Sequence, residues 1–251
     1  MPSTMSTWAV IPVKQLRESK RRLRHLLTPD ERAELIARFL DNLLLTLSAA
    51  PGIDRALVVT CDPAVVQLAR RHGADVLLEA AADGLNAAAA RGMRHAAAQG
   101  ATAVLVLPAD LPFARVEDIE AMLSRPPTAD RRPPEEGPGS RVQVPGEQGV
   151  SLETRHSPLA PSSLIPGPWP LAPSFVICPD EAEDGTNALL LAPPGDFTFR
   201  YGPGSFHAHL AEAERRGRAV AVVPAPGLRF DLDTESDWLV YNGYLVEVAE
   251  E

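Results

Sequence analysis

The run Val104–Leu107, V-L-V-L, contains no polar residue and stops at Pro108. An apolar strand without alternation belongs where both faces of a sheet are covered, as in parallel α/β sheets. Asp110 follows, set between Pro108 and Pro112. Each proline fixes its own φ and biases the residue before it toward extended geometry. Asp110 is therefore expected at the carboxyl end of a central strand, the edge where open α/β sheets place their ligands. A helix N-cap or a turn aspartate is the alternative role for the same residue.

The rest of the chain repeats the alternation. Trp8–Val13, Ala56–Thr60, Asp75–Leu78 and Ala103–Leu107 read as strands. A helix opens at Thr28-Pro29-Asp30-Glu31, with Thr as N-cap, Pro in the first turn and acids complementing the helix dipole. Leu35, Phe39, Leu40, Leu43, Leu44 and Leu47 give it an apolar stripe. Pro63–His72, an alanine-rich segment from Gly84-Leu85-Asn86 to Gln99, and Val116–Leu123 read as further helices. Such spacing means βαβ units and a mainly parallel sheet flanked by helices. Arg125–Ala172, rich in Pro, Gly, Ser and Glu, shows no periodicity and reads as a flexible, largely disordered excursion, with a lid or a partner-binding segment as the alternative. Order resumes with strands at Ser174–Cys178 and Ala188–Leu191, a helix at Phe206–Arg216 and a strand at Ala219–Val223. A strand region ending at Phe230 and a last helix from Ser236 complete the pattern. One domain over residues 6–246, interrupted at about 125–172, is the organisation expected.

The 251-residue chain carries a net charge of −9, which argues against a nucleic-acid or anionic-membrane surface. Against that background Lys14, Arg17, Lys20, Arg21, Arg22 and Arg24 cluster just after the first strand. Its two cysteines, Cys61 and Cys178, lie far apart, and each reads as a small buried hydrophobe in a reducing cytoplasm. No apolar stretch is long enough to span a membrane, and the N-terminus shows no signal-peptide core.

Three constellations carry candidate chemistry. Lys14 and Lys20, with Arg22 behind them, sit where cationic side chains converge on a triphosphate; a solvated charge run is the plain alternative. No P-loop or G-x-G-x-x-G fingerprint is present. Asp110, Asp231 and Asp233 supply acids for one or two Mg²⁺ ions, which bind with phosphates through one or two carboxylates and keep waters. Only one acid of Asp231-Leu232-Asp233 is expected to face the metal; Asp231 is favoured, and Asp233 has the N-cap of the last helix as its other role. Finally, Thr186 in D-G-T-N and Gly202-Pro203-Gly204-Ser205 form an anion seat of backbone N–H groups at a helix N-terminus. An ordinary serine N-cap is the alternative there. His207 and His209 are not expected to form a metal pair, because a spacing of two puts them on different helix faces.

Together, I-P-V-K-x-L-x-x-S-K-x-R-L, P-A-D-L-P, D-G-T-N-A-L-L-L, G-P-G-S-F-x-x-H and D-L-D-T-x-x-D resemble the CofC/FbiD guanylyltransferases of coenzyme F420 biosynthesis. The resemblance covers nearly the whole chain outside the excursion. It implies a single-domain nucleotidyltransferase fold, Rossmann-like and of the GT-A type, similar to molybdenum-cofactor guanylyltransferases. It further implies an enzyme joining GTP to phosphoenolpyruvate, 2-phospho-L-lactate or 3-phosphoglycerate with release of pyrophosphate. On that basis Lys14 and Lys20 serve the GTP phosphates, and Asp110 with an acid of Asp231-Leu232-Asp233 binds Mg²⁺. Thr186, Gly202 and Ser205 hold the acceptor, and Asn86 helps position the nucleotide. A molybdopterin or sugar-phosphate nucleotidyltransferase and a non-catalytic nucleotide-binding regulator are the alternatives. The oligomeric state stays open, a homodimer being common for such folds.

Overall fold

In the structure, a computed structural model, seven strands form one sheet of order β3-β2-β1-β4-β6-β5-β7. The residues described are 6–81, 83–124 and 174–250, with side chains to 243. The Pro-rich excursion at 125–172 lies outside them.

Strands β1 (Thr7–Pro12), β2 (Arg55–Thr60), β3 (Asp75–Leu78) and β4 (Ala103–Val106) are parallel. Strand β6 (Thr186–Ala192) lies antiparallel between β4 and β5 (Ser174–Pro179), and β7 (Ala219–Val222) closes the edge parallel to β5. The sheet is thus mixed and mainly parallel, as the alternation of strands and helices predicts.

Both faces of the central strands are covered, which explains their unbroken apolar sequence. Alternate β1 residues enter different cores, because successive side chains point to opposite faces. Ala9 and Ile11 pack on the side of α1 (Pro29–Ala49), α2 (Pro63–Arg71) and α4 (Val116–Leu123). Trp8 and Val10 pack on the side of α3 (Leu85–Ala98) and α5 (Ser205–Arg215). Helix α1 starts as expected: Thr28 and Glu31 form a reciprocal capping box, with Pro29 in the first turn. Gly92 lets α3 press on the sheet; a Cβ there would collide with Val10 Cγ1 and lie 2.9 Å from Val59 Cγ2.

Two local expectations are corrected. The segment before Asp231 is not a strand but a helical turn, α6 (Pro226–Arg229), which Pro226 initiates. Thr234, not Asp233, caps α7 (Glu235–Glu250): its Oγ1 accepts from Asp237 N–H, and Asp237 Oδ2 accepts from Thr234 N–H. Asp233 is therefore released from capping. Cys178 is buried as expected, whereas Cys61 is partly exposed. Among the described residues no helix is long and apolar enough to cross a membrane.

Candidate active site

Strand order reverses beside β1, with β2 on one side and β4 on the other. At such a switch point the loops leaving the two central strands diverge and leave a crevice at their carboxyl ends. The basic loop leaves β1 there, and the Asp110 loop leaves β4.

The basic loop folds as two 3₁₀ turns, Leu16–Glu18 and Arg21–Leu23, which bury Leu16 and Leu23. Its backbone is anchored from beneath. Asp62, N-cap of α2, accepts from Leu16 N–H, and the buried Arg32 of α1 donates to the carbonyls of Arg17, Ser19 and Leu27. Between the turns Lys20 has φ +52°, the left-handed region, at a cost of ~1 kcal/mol for a residue with a Cβ. That turn directs its side chain inward.

Lys20 Nζ lies 2.5 Å from Asp110 Oδ2 and 3.6 Å from Asp233 Oδ1, and the lysine side chain is only 5% exposed. Burial alone would depress Lys20; the charge and hydrogen bond of Asp110, with Asp233 and Asp231 behind, outweigh it and hold the ammonium above its ordinary value. Asp233 also receives Arg22 Nη1 at 2.5 Å. Asn187 Nδ2 donates to Asp231 Oδ1 at 3.3 Å and to Arg229 O at 3.1 Å, fixing the second acid. Burial, and next the charge of Asp110, push Asp231 up to about 6. Leu232 is fully buried while both flanking acids interact with Lys20. Both acids of the pair thus stand near the lysine, on either side of the buried Leu232.

Asp110, Asp233, Lys20, Arg22, Lys14 and Leu85 line one cleft of about 380 Å³. Lys14 is exposed on its rim and makes no ion pair among the described residues. A somewhat larger groove, about 430 Å³, lies at the opposite end of the sheet, around the first residues of β2 and β3. It contains none of the residues above.

The chemistry of the donors suits a hard divalent cation. Asp110 Oδ1 is buried and has no hydrogen-bond partner, an arrangement costly to leave unmet. Among the described residues no group of three acidic, histidine or cysteine side chains converges as a ready metal cage. Mg²⁺ bound with phosphates needs only one or two carboxylates, so the orphaned oxygen of Asp110 and the neighbouring Asp231 fit it, and a three-carboxylate cage does not.

The third constellation also assembles, with different internal bonding than the sequence suggests. Thr186 Oγ1 lies 3.3 Å from Ser205 Oγ and 3.0 Å from His209 Nδ1, and all three residues are buried. Gly202 (φ +132°) and Gly204 (φ +70°) make the turn that only glycine adopts readily. The predicted nest is already partly filled: Asp184 Oδ2 accepts from Gly204 N–H, and Asp184 O accepts from Phe206 N–H. Asp180 in turn accepts from the backbone N–H groups of Asp184 and Gly185, shaping the acidic turn before β6. Asn86 does not extend freely toward a nucleotide. Its Oδ1 accepts from Tyr201 N–H at 2.6 Å and its Nδ2 donates to Tyr201 O at 3.3 Å, clasping the start of α3 to the glycine turn.

Sequence reasoning gives His209, Asp184 and Asn187 no role of their own in the site. Two of them stand inside D-G-T-N, a motif legible as a unit, but their partners lie 20 and 44 residues away.

Solved structures share this fold. A nucleotidyl transferase from Methanothermobacter superposes with a TM-score of 0.55 at 14% identity, over 98% of this chain and 99% of that one. The 4-diphosphocytidyl-2C-methyl-D-erythritol synthase of Anaerococcus prevotii gives 0.53 at 13% identity, over 96% and 98%. With a charged cleft at its switch point, the chain has the fold that these nucleotidyl-transferring structures share. Residues 7–139 and 172–241 match the model of the guanylyl transferase CofC-like family, and the chain belongs to that family. Among its relatives, the phosphoenolpyruvate guanylyltransferase of Rubrobacter xylanophilus is 40% identical, over 93% of this chain and 92% of that protein. That of Sphaerobacter thermophilus is 33% identical, over 93% and 91%. The 2-phospho-L-lactate guanylyltransferase of Methanothermobacter thermautotrophicus is 28% identical, over 93% and 82%.

Proposed function

We propose that this chain joins GTP to phosphoenolpyruvate in the cytoplasm, releasing pyrophosphate and giving an activated intermediate for coenzyme F420 biosynthesis. 2-Phospho-L-lactate and 3-phosphoglycerate are the competing acceptors. An acceptor phosphate oxygen attacks the α-phosphorus of GTP, the bond between the α-phosphorus and its bridging oxygen breaks, and pyrophosphate departs with that oxygen. The attacking phosphate is already largely ionised near neutrality, so positioning and charge neutralisation carry the rate and no strong base is required.

The observation that carries this reading is the buried contact of Lys20 with Asp110 across the switch point, beside the unpartnered Asp110 Oδ1. Lys14, Lys20 and Arg22 bind and orient the triphosphate. Asp110 and Asp231 would hold Mg²⁺, which when bound offsets charge on the phosphates. Thr186, Gly202 and Ser205 hold the acceptor, and Asn86 fixes the distance between its seat and the cleft. The names of the relatives favour phosphoenolpyruvate over the other two acids.

Mass detection of guanylylated product, with GTP and Mg²⁺ and each acid offered alone, tests the assignment. The phosphoenolpyruvate adduct is expected to form fastest. Product from a sugar phosphate or molybdopterin, with none from the three acids, would overturn it.

A further inference from the structure

His209 is 0% exposed, yet both of its ring nitrogens are engaged. Arg200 N–H donates to Nε2 at 2.8 Å. A backbone N–H can only donate, so Nε2 carries no proton and the proton of the neutral ring resides on Nδ1. Nδ1–H therefore donates to Thr186 Oγ1 at 3.0 Å. Ser205 Oγ–H donates to the same oxygen at 3.3 Å. A hydroxyl has two acceptor positions and one donor. Both acceptor positions of Thr186 are thus used inside the protein, and its own O–H is the bond left for a ligand oxygen.

The ring is held from other sides as well. Tyr201, Phe197 and Phe199 pack on it with centroids 5.0, 5.9 and 6.4 Å away. The charged groups that act on it are Arg200 and Glu212; burial first, then Arg200, pushes its pKa down to about 4, so it stays neutral and keeps this tautomer near neutrality.

We propose that His209 is a positioning residue for the acceptor: Nδ1–H fixes the Thr186 hydroxyl so that its proton is presented to an anionic oxygen of the phosphorylated acid. This rests on the reading of Thr186, Gly202 and Ser205 as the acceptor seat. The ring touches no reacting atom; it acts through Thr186, and so differs from a metal ligand or a general base.

Two amides separate this role from a structural one. His209→Asn retains a donor near the Nδ1 position and loses the acceptor for Arg200 N–H. His209→Gln retains an acceptor near Nε2 and loses the donor to Thr186. Steady-state kinetics with GTP and phosphoenolpyruvate are expected to show acceptor KM raised about tenfold or more in His209→Gln, with GTP KM within twofold of wild type. His209→Asn stays within about threefold in both. Thr186→Val should reproduce the His209→Gln defect, and the double variant should be no worse than either single one. Unchanged acceptor KM in His209→Gln, or a larger defect in His209→Asn, overturns the proposal. Should His209→Gln fail to fold, Thr186→Ser against Thr186→Val decides it: equal acceptor KM values in that pair would overturn it. Wild-type turnover is measured first with all three acids, and its absence defeats the acceptor reading itself; on an active wild type, flat His209 variants beside a defective Thr186→Val defeat only the role of His209, and a flat Thr186→Val defeats the seat as well.

Discussion

Lys20 Nζ and Asp110 Oδ2, 90 residues apart in sequence, lie 2.5 Å from each other with the lysine side chain almost wholly buried. The contact joins the loop after β1 to the loop after β4 and defines the floor of the cleft. Breaking a buried pair by removing one partner leaves an uncompensated charge and costs about 3–5 kcal/mol. Lys20→Met is expected to destabilise the protein by ~3 kcal/mol in urea unfolding, because Asp110 then loses its buried partner beside Asp231, and only Asp233 keeps a cation, Arg22. Lys20→Met/Asp110→Asn should recover part of that stability and none of the activity.

Asn86 gives a second prediction. Its two hydrogen bonds to the Tyr201 backbone tie α3 to the glycine turn. At this exposed position Asn86→Ala removes about 0.5 kcal/mol of stability per lost bond and loosens the seat relative to the cleft. A loss of about tenfold in kcat/KM for both substrates is expected, with Tm lowered by only about 2–4 °C.

Gly92 tests the packing beneath the site. A methyl there would meet Val10 and Val59 well inside van der Waals contact. Overpacking of this kind costs about 1–3 kcal/mol, so Gly92→Ala should lower Tm measurably. Gly73, whose added Cβ would meet nothing within 4 Å, separates packing from backbone strain: Gly73→Ala pays only for its φ of +69°, about 1–2 kcal/mol.

His209 sets a pH dependence of stability. Its folded pKa is about 4, lowered mainly by burial, against about 6.5 in an unfolded chain. Between those values the unfolded chain binds a proton that the native state refuses, so stability falls as pH drops through about 6.5 to 4. The full difference corresponds to ~3 kcal/mol. Unfolding curves of His209→Asn should be flatter than wild type across that window; equal slopes would contradict the assignment.

Much of this architecture is legible locally. The strands around Val10, Val58 and Leu105 are apolar throughout because helices cover both faces, and Thr28 with Glu31 announces α1 through contacts three residues apart. The acids and lysines of the cleft are legible as loop residues at strand ends. What the sequence hides is set by distant partners. Asp184 fills part of the glycine nest from 20 residues away, and Asn86 meets Tyr201 from 115. The role of His209 is hidden in the same way, because its partners, Thr186 Oγ1 and Arg200 N–H, come from other elements. Pro226 marks a break that a strand pattern in L-R-F conceals.

Pyrophosphate release from GTP and phosphoenolpyruvate with Mg²⁺, compared between wild type and Asp110→Asn, tests the nucleotidyl-transfer centre most directly. The substitution keeps the shape of the side chain while removing its charge. Acceptor-dependent release by the wild type, reduced at least ~10³-fold in the variant, a loss of about 4 kcal/mol of transition-state stabilisation, is the result predicted. Release undiminished in a folded Asp110→Asn protein would contradict the account.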